Sequence, residues 1–414
     1  MTAPNSSWTK FSSVTKGSFM FSREIVKGIF KNRPQVVMVP KAFGKFMNPL
    51  FLNPDCRVPQ IRELESIVSD FVKNSMKKQF DLQVIPLGQP IDSPKRGSSI
   101  PVIEKDWFFP GDLDFSLQKH FINECYPEDL PKSHKYNDPD GRYFPKLYIY
   151  RKKENDTGKY LVYYTGGAFL LTHHTYFCHL SKYFPEHNLV FVSYALAPEF
   201  NYPQGILDSI DAYYHILKLN PTSICIAGES AGGNMCLHVG VYTKEHFPSM
   251  DINYMAPKCI VLMSPFSDMT LSGGSIDKNG DYDAIKPSFD FGKFRELYLG
   301  MPLYSREELL FVEVEENRYK SLQVLTKDDL TRRIFSPHNY NELLNGLPPV
   351  NVHTGDKEIL LSDNYQLVNK LERHGVECQW TIYEDQVHMW QSFSWLKSAK
   401  DSYLEAQQFI NKYL

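Results

Sequence analysis

Residues 223–234 read Ser-Ile-Cys-Ile-Ala-Gly-Glu-Ser-Ala-Gly-Gly-Asn and carry the strongest structural signal in the chain. The first five residues have the apolar pattern of a strand buried on both faces, and a helical pattern follows at 235–242. A strand that turns sharply into a helix exposes the hydroxyl of a serine at the turn. Glycines at 228 and 232 have no side chains that would block such a sharp turn. The segment therefore predicts a nucleophile turn, with Ser230 as the candidate nucleophile.

Short apolar runs alternate with helical patterns on both sides of this turn. Leu207, Ile210, Tyr214 and Leu217 share one helical face, and Gly375 ends a later helical pattern. The other runs, each typical of a buried strand, are 146–150, 160–164, 189–194, 259–263, 350–353 and 379–383. This alternation predicts an α/β fold with a mostly parallel central sheet flanked by helices.

The composition excludes several classes of function. The 414 residues include 45 Lys and Arg against 48 Asp and Glu, a net charge of −3, so we expect no nucleic-acid partner. Seven scattered cysteines contain no CxxC pair, which favours a reducing compartment over a disulfide framework or a zinc site. We find no apolar run near the roughly 20 residues of a spanning helix and no signal-peptide core in residues 1–30. We therefore expect an intracellular protein, cytoplasmic or peripheral to the endoplasmic reticulum or lipid droplets.

Positive charge is concentrated in residues 1–54, which contain eight Lys and Arg against one Glu. Phe21, Ile25 and Ile29 lie four residues apart, as on one face of a short basic helix. Three interpretations stay open: a helix packed on the catalytic body, peripheral attachment to an anionic membrane or a lipid-droplet surface, and, less favoured, a mitochondrial presequence.

The turn-rich stretch 131–145 marks a domain boundary. We predict that residues 1–135 form the basic segment and a helical cap, and that residues 136–414 form the catalytic domain. Trp107, Phe108 and Phe109 are candidates for the wall of a pocket under this cap, although core packing is the preferred interpretation for such a cluster. We expect the polar stretch 272–283 to be a solvated loop that could border the pocket.

A serine hydroxyl needs a base to remove its proton and an acid to orient that base. His388 follows a late strand and comes after Ser230 in the chain, so it is the candidate base. His173 and His174 are its rivals, in positions better suited to substrate contact or packing. Asp356 and Glu358 both follow the run at 350–353, and these residues leave the acid open between them.

With these residues in place, the chain resembles the hormone-sensitive-lipase type of α/β-hydrolase, and within it the fungal steryl acetyl hydrolases and arylacetamide-deacetylase-like esterases. The resemblance covers about residues 145–414. Its linked motifs are Gly-Glu-Ser-Ala-Gly-Gly-Asn at 228–234, Tyr-Ala-Leu-Ala-Pro-Glu at 194–199, Ser-Pro-Phe-Ser-Asp at 264–268, Ser-Pro at 336–337 and Leu-Pro-Pro at 347–349. In the family an acid-x-Leu run holds the acid, which favours Glu358 slightly by register, whereas Asp356 has the usual residue type.

The family's oxyanion loop, His-Gly-Gly-Gly followed by an aromatic residue, corresponds here to Thr-Gly-Gly-Ala-Phe at 165–169. The resemblance implies that the oxyanion donors are the backbone N–H groups of Gly167, Ala168 and Ala231. If position 168 needs a positive φ, alanine costs about 1 kcal/mol there. Thr165 and Ala195 replace a histidine and an arginine of the family motifs, so we expect weaker bracing at both places.

The resemblance implies a serine carboxylic-ester hydrolase that uses an acyl-enzyme intermediate and no metal or organic cofactor. The implied substrate is a small lipophilic ester, such as a sterol acetate or another acetate. Two alternatives stay open: a non-catalytic protein that binds a lipophilic ligand on the same scaffold, and an amidase or acyltransferase with the same catalytic residues.

Overall fold

The computed structural model describes residues 80–87, 145–172, 182–197, 200–250, 252–283 and 329–414, together with isolated positions elsewhere. The predicted basic helix within residues 1–54, most of the predicted cap, and Phe108 and Phe109 lie outside the described residues.

A central sheet organises the described part of the chain. The strands are β1 (Phe80–Pro86), β2 (Lys146–Lys152), β3 (Lys159–Tyr164), β4 (Asn188–Ser193), β5 (Ser223–Glu229), β6 (Ile260–Met263), β7 (Leu303–Tyr304), β8 (Leu325–Thr326), β9 (Val350–Gly355) and β10 (Cys378–Tyr383). Eight of these form one sheet in the order β1-β2-β4-β3-β5-β6-β9-β10, and β7 pairs with β8 separately. Strand β2 is antiparallel to β1 and β4, while the other neighbours in the large sheet are parallel. The predicted α/β class and the mostly parallel sheet are confirmed.

Helices cover both faces of this sheet. In the described ranges, the α-helices are α1 (Gln204–Leu217), α2 (Ala231–His246), α3 (Ser275–Lys278), α4 (Leu361–Arg373) and α5 (Lys397–Tyr413), and 3₁₀ helices span Phe247–Ser249, Asp329–Thr331, Pro337–Leu344 and Trp390–Ser392. Helix α4 ends just before Gly375, whose φ of 71° gives the left-handed turn predicted there. Among the described residues, no helix is both long enough and apolar enough to cross a membrane.

The central strands β3, β4 and β5 are apolar at most positions, and two separate cores form on the two faces of the sheet. Val162 of β3 and Ile226 of β5 point into one core, with α1, α2 and α4. Their chain neighbours Leu161 and Cys225 point into the other core, which α5 covers. Successive residues of a strand face opposite sides of the sheet. A strand between two helical layers therefore has no side in contact with water, and apolar residues are expected on both sides.

Strand β1 is the one strand of the large sheet that the sequence patterns do not predict. It pairs residue by residue with β2, from Phe80 beside Lys152 to Pro86 beside Lys146. As an edge strand it is only partly covered, and Val84 is 45% exposed, so its apolar pattern is weak. The domain boundary at residue 135 stays a prediction. Strand β1 precedes this boundary in the sequence, yet it belongs to the same sheet as the strands that follow it.

We expect the close packing at the start of α2 to be intolerant of a single added methyl group. A Cβ at Gly232 would stand 1.9 Å from the carbonyl oxygen of Tyr164, whereas a Cβ at Gly274 would meet no atom within 4 Å. Gly232→Ala should lower the free energy of unfolding by at least ~2 kcal/mol, because the helix must move away from β3. The matched control Gly274→Ala should leave it unchanged or raise it by up to ~1 kcal/mol. Urea unfolding followed by circular dichroism measures both, and equal midpoints for the two variants would contradict this packing.

Candidate active site

Ser230 occupies the turn between β5 and α2 with φ 50° and ψ −118°, outside the regions that L-residues favour. Hydrogen bonds on both sides hold it: its N–H donates to the carbonyl of Met263 at 3.0 Å, and its carbonyl accepts from the N–H of Phe266 at 2.8 Å. A Cβ at Gly228 would stand 2.5 Å from the carbonyl oxygen of Gly232. The sharp turn therefore requires glycine at both 228 and 232, as predicted.

His388 lies in the loop after β10, and the structure brings it to Ser230. Its Nε2 atom is 3.0 Å from the Ser230 Oγ atom, within the reach of a general base. Both side chains are buried. The rivals His173 and His174 lie outside the described residues.

Glu358, in the turn between β9 and α4, lies behind the imidazole. Its Oε2 atom is 3.8 Å from His388 Nδ1, an ion-pair distance that is longer than a hydrogen bond. Among the described residues, neither atom has a hydrogen-bond partner, so each is free to engage the other. The second carboxylate oxygen accepts a hydrogen bond from Asn364 Nδ2 at 2.8 Å. Glu358 thus holds the position of an acid that orients the histidine.

Asp356, the other candidate acid, directs its carboxylate elsewhere. Its Oδ2 atom pairs with Lys357 Nζ at 2.9 Å, and both side chains are about one-third exposed. Its backbone N–H donates to the carbonyl of Tyr383 at 3.1 Å. Asp356 therefore helps to hold the loop after β10 through its backbone, and its side chain makes no described contact with His388.

The glycine-rich loop lies beside the nucleophile, since a Cβ at Gly166 would stand 3.1 Å from the Ser230 Cβ atom. Gly167 has φ 118° and Ala168 has φ 54°, so the alanine does adopt the positive φ that was considered from the sequence. Among the described residues, neither of these N–H groups donates to a backbone carbonyl. Ala231 is the first residue of α2, where a helix leaves its N–H without an intrahelical acceptor. All three N–H groups stay candidate oxyanion donors.

Two residues that the sequence did not single out brace this loop. Glu229 Oε1 accepts a hydrogen bond from the Gly166 N–H at 2.7 Å, and the Tyr194 hydroxyl donates to the Thr165 carbonyl at 2.7 Å. Burial raises the pKa of Glu229 from 4.5 to about 8, so its carboxyl group is mainly protonated at neutral pH. Their positions inside the motifs 228–234 and 194–199 were the signal available in the sequence.

At Ala195, a backbone hydrogen bond partly replaces the bracing that the family's arginine side chain would provide. The Ala195 N–H donates to Asp208 Oδ2 at 2.9 Å, and the other carboxylate oxygen of Asp208 accepts from Gln204 Nε2 at 2.8 Å. A side chain on α1 therefore holds this loop, although the family's arginine is missing.

The segment 272–283 is not the solvated loop predicted from its polar sequence. It includes helix α3, and its side chains Ser275, Asn279 and Asp283 are buried. Asn279 Nδ2 donates to the carbonyl oxygens of Glu358 at 2.9 Å and Asp356 at 3.1 Å. The prediction is wrong for these three residues, which face the turn that carries the acid, whereas other residues of the segment, such as Asp277 and Asp281, are exposed as predicted.

Trp107 packs in the body of the domain. Its ring contacts Tyr242 and His246 edge-on, about three and four turns along α2 from Ser230, and the Arg333 guanidinium lies over it at 4.5 Å. Core packing, the preferred of the two interpretations, is confirmed for this residue.

Comparison with known proteins agrees with this geometry. A family model described as alpha/beta hydrolase fold matches residues 161–392, and the chain belongs to this family. An esterase of Acinetobacter venetianus is 29% identical over 251 residues, which cover 59% of this chain and 72% of that protein. The structure of a hormone-sensitive lipase from a metagenome library is similar with a TM-score of 0.53 at 26% identity, covering 65% of this chain and 82% of that one. An esterase/lipase structure from an uncultured bacterium gives a TM-score of 0.53 at 24% identity, covering 65% and 81%. These findings support a carboxylesterase- or lipase-like hydrolase of the hormone-sensitive-lipase type.

Mutation should show which of the two acids after β9, Asp356 or Glu358, supports catalysis. Glu358→Gln should lower kcat/KM for a short-chain p-nitrophenyl ester by ~10³–10⁴-fold, because the imidazole loses the charge that orients it and stabilises its protonated form. Asp356→Asn removes only a partly exposed pair with Lys357, so it should change kcat/KM by less than about fivefold. A larger loss in Asp356→Asn than in Glu358→Gln would reverse the assignment.

The raised pKa of Glu229 predicts a pH dependence. Above about pH 8 this buried residue ionises beside the loop in which an oxyanion would form, so we expect kcat/KM to fall there. Glu229→Gln keeps the carbonyl acceptor for Gly166 and cannot ionise, so its profile should stay flatter between pH 8 and 9.5. Initial rates corrected for spontaneous ester hydrolysis measure both profiles, and parallel profiles would contradict the prediction.

The raised pKa of Glu229 also makes the stability of the protein depend on pH. Between about pH 4.5 and 8 the folded chain keeps the Glu229 proton while the unfolded chain loses it, so the free energy of unfolding should fall as pH rises through this window. Glu229→Gln lacks this contribution, and its stability relative to the unsubstituted protein should therefore rise with pH. Urea midpoints at pH 5 and pH 8 provide the measurement.

Proposed function

We propose that the chain hydrolyses carboxylic esters of lipophilic alcohols through an acyl-enzyme on Ser230. The observation that supports this most directly is the 3.0 Å contact between Ser230 Oγ and His388 Nε2, with Glu358 behind the imidazole. A carboxyl group, an imidazole and a hydroxyl in this order form the arrangement that turns a weak nucleophile into an effective one.

In the proposed reaction, Ser230 Oγ attacks the ester carbonyl while His388 Nε2 takes its proton. The tetrahedral intermediate collapses when His388 gives that proton to the leaving alcohol, and the acyl group stays on Ser230. Water, deprotonated by the same imidazole, then attacks the acyl carbonyl; the bond to Ser230 Oγ breaks, the imidazolium returns the proton to that oxygen, and the acid is released. Glu358 stabilises the imidazolium that forms in each half of the reaction.

Negative charge on the carbonyl oxygen needs donors that are in place before the reaction. The N–H groups of Gly167, Ala168 and Ala231 are our candidates, and loss of one such donor typically costs ~10²–10³-fold in rate. The bracing of the loop by Glu229 and Tyr194 supports this assignment, because fixed donors need no reorganisation when the charge develops.

We further propose a lipophilic substrate with a small acyl group, such as a sterol acetate. The esterase and hormone-sensitive lipase among the similar proteins support ester chemistry. An aromatic cluster lies directly behind the glycine loop, with the rings of Phe169 and Tyr298 stacked at 4.0 Å and Phe266 beside them at 5.9 Å. All three rings are buried in the core beside this loop, so the proposed small acyl group is supported by the family resemblance and not by these rings.

The test uses purified protein with p-nitrophenyl esters of two to sixteen carbons, a sterol acetate, and a fluorophosphonate probe. We expect the fastest turnover with the short chains, labelling of Ser230, and loss of at least ~10³-fold of kcat/KM in Ser230→Ala. Equal turnover by Ser230→Ala would reject the mechanism. Tight retention of a lipophilic ligand without labelling or turnover would instead favour the binding protein, and faster cleavage of an anilide than of the matching ester would favour an amidase.

A further inference from the structure

The mechanism does not use the segment from Ser275 to Asp283, although it lies against both loops that carry the histidine and its acid. Ser275 Oγ donates to the Ile359 carbonyl at 2.6 Å and accepts from the Ser362 N–H at 2.9 Å. Together with the two hydrogen bonds from Asn279, these contacts hold the acid-bearing turn at residues 356–362. A short polar segment therefore fixes the backbone on both sides of Glu358.

Asp283 contacts both the acid-bearing turn and the histidine. Its Oδ2 atom accepts a hydrogen bond from the Ile359 N–H at 2.8 Å, and the same atom accepts from the His388 N–H at 3.4 Å. Ile359 directly follows Glu358, and His388 is the candidate base itself. A single carboxylate oxygen thus joins the backbones of the two loops within one residue of each catalytic side chain, and Asp283 is only 1% exposed.

Other contacts between the two loops lie further from the reacting groups. The Lys357 N–H donates to the Gln386 carbonyl at 2.8 Å, and the Asp356 N–H donates to the Tyr383 carbonyl at 3.1 Å. Both are backbone contacts near the ends of β9 and β10, which the sheet already holds together. They do not engage the N–H of His388, whose described acceptor is Asp283 Oδ2.

We propose that Asp283 is a positioning residue for the esterase reaction: it sets the spacing and direction of the Glu358–His388 pair. This inference rests on the proposed function. The pair is 3.8 Å apart and fully buried, so a small displacement of either loop changes both its electrostatic interaction and the direction in which Nε2 faces Ser230. Loss of Asp283 should therefore slow the chemical step and leave substrate binding almost unchanged.

The experiment compares Asp283→Ala, Asp283→Asn and the matched control Asp281→Ala, with kcat and KM measured on a short-chain p-nitrophenyl ester. Asp281 lies two residues away in the same segment and is exposed. Rates are expressed per active site, titrated to completion with a fluorophosphonate, so that any unfolded fraction is removed from the comparison.

Asp283→Ala should lower kcat by roughly 10- to 100-fold with KM changed by less than threefold, since misplacement of catalytic groups by about 1 Å has effects of this size. Asp283→Asn keeps a side-chain oxygen that can accept both hydrogen bonds, so it should retain kcat within about fivefold. Asp281→Ala should match the unsubstituted protein. Because Asp283→Asn preserves size and an acceptor, the comparison remains informative if Asp283→Ala folds poorly.

Wild-type kcat in Asp283→Ala, equal losses in the alanine and asparagine variants, or a loss confined to KM would each overturn the positioning role. The rate of Ser230 labelling by the fluorophosphonate is measured in parallel and does not depend on the ester. If the unsubstituted protein labels but does not turn over esters, the proposed function fails, and slower labelling of Asp283→Ala still supports the positioning role.

Discussion

The close approach of helix α2 to the end of strand β3 is the constraint on which the rest of the site depends. The backbone at Gly232 lies so near the Tyr164 carbonyl that no side chain fits between them. This contact holds Ser230 at φ 50°, a conformation that a free chain would leave. Hydrogen bonds from both sides of the serine, to Met263 at the end of β6 and to Phe266 in the loop that follows, complete the restraint. The position of the nucleophilic oxygen is therefore set by sheet packing and not by the serine itself.

The remaining groups meet this oxygen because the strands that carry them run in the same direction. Strands β5, β9 and β10 are parallel, or linked by parallel neighbours, and their carboxyl ends reach the same edge of the sheet. Ser230 and His388 are consequently in contact although 158 positions separate them along the chain. The sheet provides the approximate placement, and polar contacts such as those of Asn279 and Asp283 bring the loops to their final spacing.

The glycine-rich loop shows how one physical requirement can be met by different residues. An oxyanion site needs backbone donors in a fixed orientation, and here threonine and alanine stand where the family motif has histidine and glycine. The buried Glu229 and Tyr194 hold the loop through its backbone N–H and carbonyl groups, and Asp208 holds the neighbouring loop at Ala195. Burial keeps Glu229 mainly protonated at neutral pH, which avoids a second negative charge where one is expected to form.

The sequence by itself determined the strand and helix pattern, the nucleophile turn, and the identity of Ser230 and His388 as partners. These rest on local signals: apolar runs of strand length, glycines at a turn that excludes side chains, and motif order along the chain. Strand β1 escaped because it is not a continuous apolar run: Asp81 and Gln83 interrupt it and are exposed, and Val84 is 45% exposed. Only the tertiary structure separated the two carboxylates in space: it places Glu358 behind the imidazole and pairs Asp356 with Lys357, whereas register in the sequence favoured Glu358 only slightly. The contacts of Glu229, Asn279 and Asp283 were likewise decided by the fold, because a polar residue acquires distant partners only when other loops are folded against it.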